Sequence, residues 1–99
     1  MSRAYREEEC RKELIQHFET IVDYWENESR AITSKEKLDG LLHSILCVFD
    51  GVSGFMPSYN ISLNPHPDDK AYYIHKGENY YEPDMIINED IPLHEILNR

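Results

Sequence analysis

Apolar residues recur every three or four positions through the first half of the chain, and the period changes after Pro57. Leu14, Ile15, Phe18, Ile21, Val22 and Trp25 form one helical stripe between Ser2 and about Asn27, with Glu7, Glu8, Glu9, Arg11, Lys12, Glu13 and Glu19 mainly off it. Ser2 is the candidate cap, the early glutamates suit the positive end of the helix dipole, and Glu8–Lys12 is a favourable i,i+4 pair. Thr33-Ser34-Lys35-Glu36 then carries the capping-box pattern. Behind it Leu38, Leu41, Leu42, Ile45, Leu46, Phe49 and Val52 mark a second stripe, ended by Asp50-Gly51 and Gly54. The short link predicts an antiparallel hairpin in which Leu42 and Ile45 face Phe18 and Val22 as core. Gly40 inside the second helix suits a close helix–helix approach.

Beyond Pro57, Tyr59, Ile61 and Leu63 alternate with Ser58, Asn60, Ser62 and Asn64, the period of a half-buried strand. Met85-Ile86-Ile87 is the strand that would pair with it. Pro67-Asp68-Asp69 opens a short helix over Asp68–Lys76, which Gly77 closes. Pro92 opens a last one through Leu97, with Ile91, Leu93, Ile96 and Leu97 facing inward. The pattern therefore predicts an α+β fold: an N-terminal antiparallel helical hairpin packed on a small antiparallel β-sheet, with short C-terminal helices. All 99 residues fit one domain, the hairpin over about 2–52 and the β/short-helix half over about 55–99.

Charge narrows the partners. The chain carries −9, and its last 23 residues hold six acidic side chains against one basic. Such a surface repels phosphate backbones and attracts a basic protein, so no direct nucleic-acid binding is expected. Cys10 and Cys47 lie in predicted helices without a CxxC pattern, as free thiols of a reducing compartment do. The N-terminal MSRAYREEEC has no signal-peptide apolar run, and the longest apolar run, Ile45–Phe49, is far too short for a membrane span. A cytoplasmic protein is expected.

Candidate chemistry concentrates in Asn64–Tyr81, which reads NPHPDDKAYYIHKGENYY. His66-Pro67-Asp68-Asp69 resembles the metal-binding string of zinc-dependent N-acetylglucosaminyl deacetylases. That resemblance implies His66 and one of Asp68 and Asp69 as metal ligands, with the other aspartate as base. It covers four residues, Lys70 stands where that family has glutamate, and two helices precede the string. A zinc site needs a third protein ligand, and no spacing nominates His75 or His94. A proline-led helix start accounts for the same residues. The chain has no His-Glu-x-x-His pattern, nucleophile elbow or glycine-rich phosphate loop. No cofactor or metal is expected.

Tyr72, Tyr80 and Tyr81, with Glu78, Glu82 and Asp84, form the segment where aromatic area and negative charge coincide, a combination that suits a basic partner. The plainer account packs one tyrosine of each pair on the hairpin. The order Leu38-Asp39-Gly40 … Ser44-Ile45-Leu46 … Asp50-Gly51, Pro65-His66-Pro67-Asp68-Asp69-Lys70, then Gly77-Glu78-Asn79-Tyr80-Tyr81 resembles small uncharacterised proteins of bacteria and their prophages. It implies an accessory or interaction protein and brings no activity with it. Sequence alone thus favours a non-enzymatic protein–protein interaction factor, phage-related and accessory or inhibitory. The alternatives are a small metal-dependent hydrolase using His66 to Asp69, and an acidic nucleic-acid mimic or immunity-type inhibitor. A homodimer is a further expectation, through Tyr5 and Cys10 on an overhanging first helix.

Overall fold

A computed structural model of the chain describes residues 2–54 and 56–98. Four helices follow in order: α1 (Glu7–Asn27), α2 (Ser34–Asp50), α3 (Asp69–Lys76) and α4 (Leu93–Ile96). The first begins five residues later than Ser2. Its cap position is Arg6, whose backbone N–H donates to the Glu9 carboxylate at 2.9 Å, while Arg3 grips the same carboxylate with two hydrogen bonds. The i,i+4 ion pair on this helix joins Glu7 and Arg11, one step before the expected Glu8–Lys12. At α2 the Thr33 hydroxyl accepts from Glu36 N–H at 3.1 Å, and the Glu36 carboxylate reaches back to the Ile32 N–H at 3.2 Å. Gly51 ends this helix in the left-handed region, with φ of 82°, where a Cβ is disfavoured.

α1 and α2 form the hairpin. The Trp25 indole N–H donates to the Ser44 hydroxyl at 2.8 Å, and Phe18 meets Phe49 edge-on at 5.8 Å. A Cβ on Gly40 would lie 2.5 Å from the Trp25 ring, so only glycine lets the indole cross here. The close approach expected at Gly40 is thus made by a side chain against a backbone.

The expected β-sheet does not form. Among the described residues helix makes up 52% and strand 2%, so the fold seen there is helical, without an α+β sheet layer. Among the described residues the two strand candidates share a single antiparallel bridge, Ser62 with Ile86. Backbone accounting gives the reason. Leu63 N–H donates to Met85 O, Asp84 N–H to Leu63 O and Ile87 N–H to Ile61 O, each at 2.9 Å. Tyr59 N–H instead donates to Phe49 O at the end of α2, also at 2.9 Å. One end of the ladder is therefore taken by a helix terminus. At the other, Pro65 and Pro67 lack N–H donors, and Asp84 turns the partner segment with φ of 64°.

Asn88 completes the junction. Its Oδ1 accepts from Ile61 N–H at 2.8 Å, and its Nδ2 donates to Tyr59 O at 2.6 Å and Phe49 O at 3.2 Å. It is 8% exposed, the one polar residue among the described buried set. The remaining core is small: Val48 and Ala31 are the buried apolar residues among those described. Leu42 and Val22, expected inside the hairpin, are 37% and 48% exposed. At the C-terminal end Leu93 and Leu97 are half-buried, whereas Ile91 and Ile96 face water.

Candidate functional site

The segment singled out by sequence builds two neighbouring features around α3. The helix is opened by local hydrogen bonds of the His-Pro-Asp-Asp string. Asp69 Oδ2 accepts from His66 N–H at 3.2 Å, and His66 Nδ1 accepts from Asp68 N–H at 3.1 Å. The second bond fixes Nδ1 as the ring's acceptor and leaves the proton of a neutral ring on Nε2. Asp68 itself makes no side-chain cap bond, and its side chain is 93% exposed. His66 and Asp69 thus spend acceptor capacity on backbone N–H groups, the work of a helix start. Among the described residues no three His, Cys, Asp or Glu side chains converge as metal donors. The geometry gives the deacetylase-like reading of His66, Asp68 and Asp69 no third ligand.

His66 and Pro67 of that string, with Asn64 and Pro65 before them, line an open pocket of about 500 Å³. Lys70 and the loop carrying Tyr81, Glu82 and Asp84 complete its lining. Lys70 Nζ lies 3.1 Å from Glu82 Oε1 and 5.0 Å from the centre of the Tyr80 ring. The Glu82 carboxylate beside it raises the lysine's pKa, so Lys70 stays charged in neutral solution. Lys76 repeats the arrangement at the far end of the helix, 5.2 Å from the Tyr72 ring centre and 3.7 Å from Glu78. Each trio sets a lysine between an aromatic ring and a carboxylate. Such exposed pairs contribute little to stability.

Tyr72, Tyr80 and Tyr81 are 57%, 40% and 66% exposed, so none of the three is core. Tyr73 is the inward member of its pair and lines a second hollow with Leu63, Pro65 and Tyr81. Gly77 lets the chain double back after α3, its N–H donating to Ile74 O at 3.0 Å and that of Glu78 to Tyr73 O at 2.9 Å. This return brings Tyr80 to Glu82 alongside α3. Glu78 and Glu82 each pair with a lysine, so the surface is of mixed charge rather than the purely acidic one the sequence suggested.

A second cluster escaped sequence reasoning. Asp50, 1% exposed at its side chain, accepts from both the backbone N–H and the ring Nδ1 of His94 through Oδ2, each at 2.8 Å. Burial pushes the Asp50 pKa up, but the backbone and ring hydrogen bonds from His94 lead the effects that outweigh it and hold the carboxyl below its ordinary value. His43 sits edge-on to His94 at 5.9 Å, and Cys47 Sγ lies 3.7 Å from His43 Nδ1. Burial and the nearby Asp50 charge raise the Cys47 pKa, the opposite of an activated nucleophile. This cluster fastens α4 to α2. A signal existed in the α2 spacing of His43, Cys47 and Asp50, but nothing local pointed to His94. No helix among the described residues is long and apolar enough to cross a membrane. No family model, curated protein or solved structure matches the chain.

Proposed function

We propose that the chain is a non-enzymatic protein–protein interaction factor of accessory or inhibitory type, and that it binds its partner through α3 and the loop 77–84. The observation that supports this reading most is the set of exposed tyrosines 72, 80 and 81 beside an open pocket, two of them next to lysines. Rigid aromatic area with a polar tip binds at low entropic cost, and an adjoining pocket accepts an anchor from the other side. The paired charges at Glu78 and Glu82 suit a partner that presents basic and acidic groups together. A basic segment would take Glu82 from Lys70.

The test compares capture of a host protein by the wild-type chain with capture by Tyr81→Ala. Tyr81→Ala is expected to shorten residence time at least tenfold with an unchanged melting temperature, while Glu82→Lys slows association. Loss of melting temperature without loss of binding would make these tyrosines part of the fold only and end this reading.

A further inference from the structure

The hairpin carries more apolar surface than its own fold uses. On α2, Leu41, Ser44 and Val48 form a stripe turned toward α1: Val48 is fully buried and Ser44 is held by Trp25. A second stripe, Leu38, Leu42 and Ile45, repeats with 4-3 spacing beside it, and Phe49, its next member, is already packed on Phe18 and Tyr59. Leu38 remains 63% exposed and Leu42 37%. α1 is built the same way. Leu14, Phe18, Ile21 and Trp25 form the half-buried set, and Ile15 and Val22, seven residues apart on its flank, are 58% and 48% exposed. Because the helices run antiparallel, the two second stripes fall on the same side of the hairpin. α4 does not cover them, since it is fastened through Asp50 and His43 on another flank of α2. Paired stripes of this period are how each helix of a four-helix bundle meets two neighbours.

Two whole-chain quantities agree. The accessible surface is 8197 Å², against the ~5,900 Å² of a folded monomer of 11.7 kDa. The radius of gyration is 17.5 Å, against ~13 Å for a closed domain of this length. The excess belongs to the whole chain, with Ile74, Ile87 and Ile96 also exposed, and it is more than the ~800 Å² that each side contributes to a standard interface.

We propose that two copies of this chain associate through the Ile15, Val22, Leu38 and Leu42 face to form a four-helix bundle, and that this interface supplies most of the hydrophobic core. The face fits a second copy for a physical reason. A chain whose buried apolar residues are so few needs its cover whenever it folds, and an identical chain is always present. Two apolar heptad stripes are also self-complementary under a two-fold axis. This surface is separate from α3 and the loop 77–84, so either proposal can fail alone.

Sedimentation equilibrium and melting of the full chain test the proposal. The wild type is expected at twice the single-chain mass at micromolar concentration. Its melting midpoint should rise by roughly 5–10 °C over a hundredfold increase in concentration. Leu38→Glu with Leu42→Glu should return the single-chain mass and remove that concentration dependence. Ile74→Glu, an exposed control on α3, should change neither. The wild-type melting series needs no variant, so a double variant that does not fold leaves the test standing. A wild type that is monomeric up to millimolar concentration overturns the proposal, as does an open series of larger species. So does a dimer broken by Ile74→Glu and not by the hairpin variant. A monomer that loses a captured partner on Leu42→Glu would assign the face to a different protein and overturn self-association.

Discussion

At the residue scale Asn88 substitutes for a strand. Its amide satisfies one donor and two acceptors on two segments that sequence places far from it: the end of α2 and the stretch holding Tyr59 and Ile61. Asn88→Ala leaves Ile61 N–H and Tyr59 O unsatisfied, whereas Phe49 O keeps the Tyr59 N–H. A loss of about 2–4 kcal/mol in urea melts is expected. Asn88→Asp keeps the acceptor but turns a second oxygen on two carbonyls, and should do no better. Asp50 gives a pH prediction. Its folded pKa lies below the ordinary aspartate value of 3.8, so its contribution is present above that value and lost as pH falls through the lower folded one. The stability gap between wild type and Asp50→Asn should be present at pH ~5 and close toward pH ~2. A gap unchanged at the acid end would mean that Asp50 does not fasten α4 as a charge. None of this is visible in the sequence, where the pattern singles out nothing at Asn88 and Asp50 reads as part of a helix stop.

At the scale of elements, local signals were legible and long-range ones were not. Thr33, Glu36, Gly51 and Gly77 mark helix ends through bonds within a few residues, and the helices end there. The α+β expectation failed because alternation at Tyr59–Leu63 states which side chains face inward, not how many strands will pair. Two segments met, a helix carbonyl and Asn88 took the remaining groups, and no third strand joined. The candidate site divides likewise: α3 followed from pattern, while the exposure of Tyr72 and Lys70 over Tyr80 required the packing of α3 and the return of the chain after Gly77. Gly40 offers the sharpest element-scale test. An exposed helical glycine usually gains up to ~1 kcal/mol on change to alanine. Here the added Cβ meets the Trp25 indole, whose N–H is held by Ser44, so Gly40→Ala should instead cost about 1–3 kcal/mol. Trp25 fluorescence should shift with it, and a stabilised variant would place the indole elsewhere.

At the scale of the molecule, charge opposes the assembly that apolar surface favours. Each chain carries −9, and joining two copies brings like charges together. The inferred interface is built from Ile15, Val22, Leu38 and Leu42, with no charged residue among the four. Salt therefore acts mainly by screening repulsion, with a Debye length falling from ~30 Å at 0.01 M to ~3 Å at 1 M. Arg11 with Glu7 and Lys35 with Asp39 join residues of one helix, Lys70 with Glu82 and Lys76 with Glu78 join α3 to the loop after it, and all four pairs lie within one copy and are exposed at one or both partners, so their screening costs little. The melting midpoint and the dimer fraction should both rise as sodium chloride is raised from 0.01 to about 0.5 M. An assembly held by ion pairs between copies would respond in the opposite sense. A midpoint that falls over that range would therefore remove the apolar face as the source of the missing core.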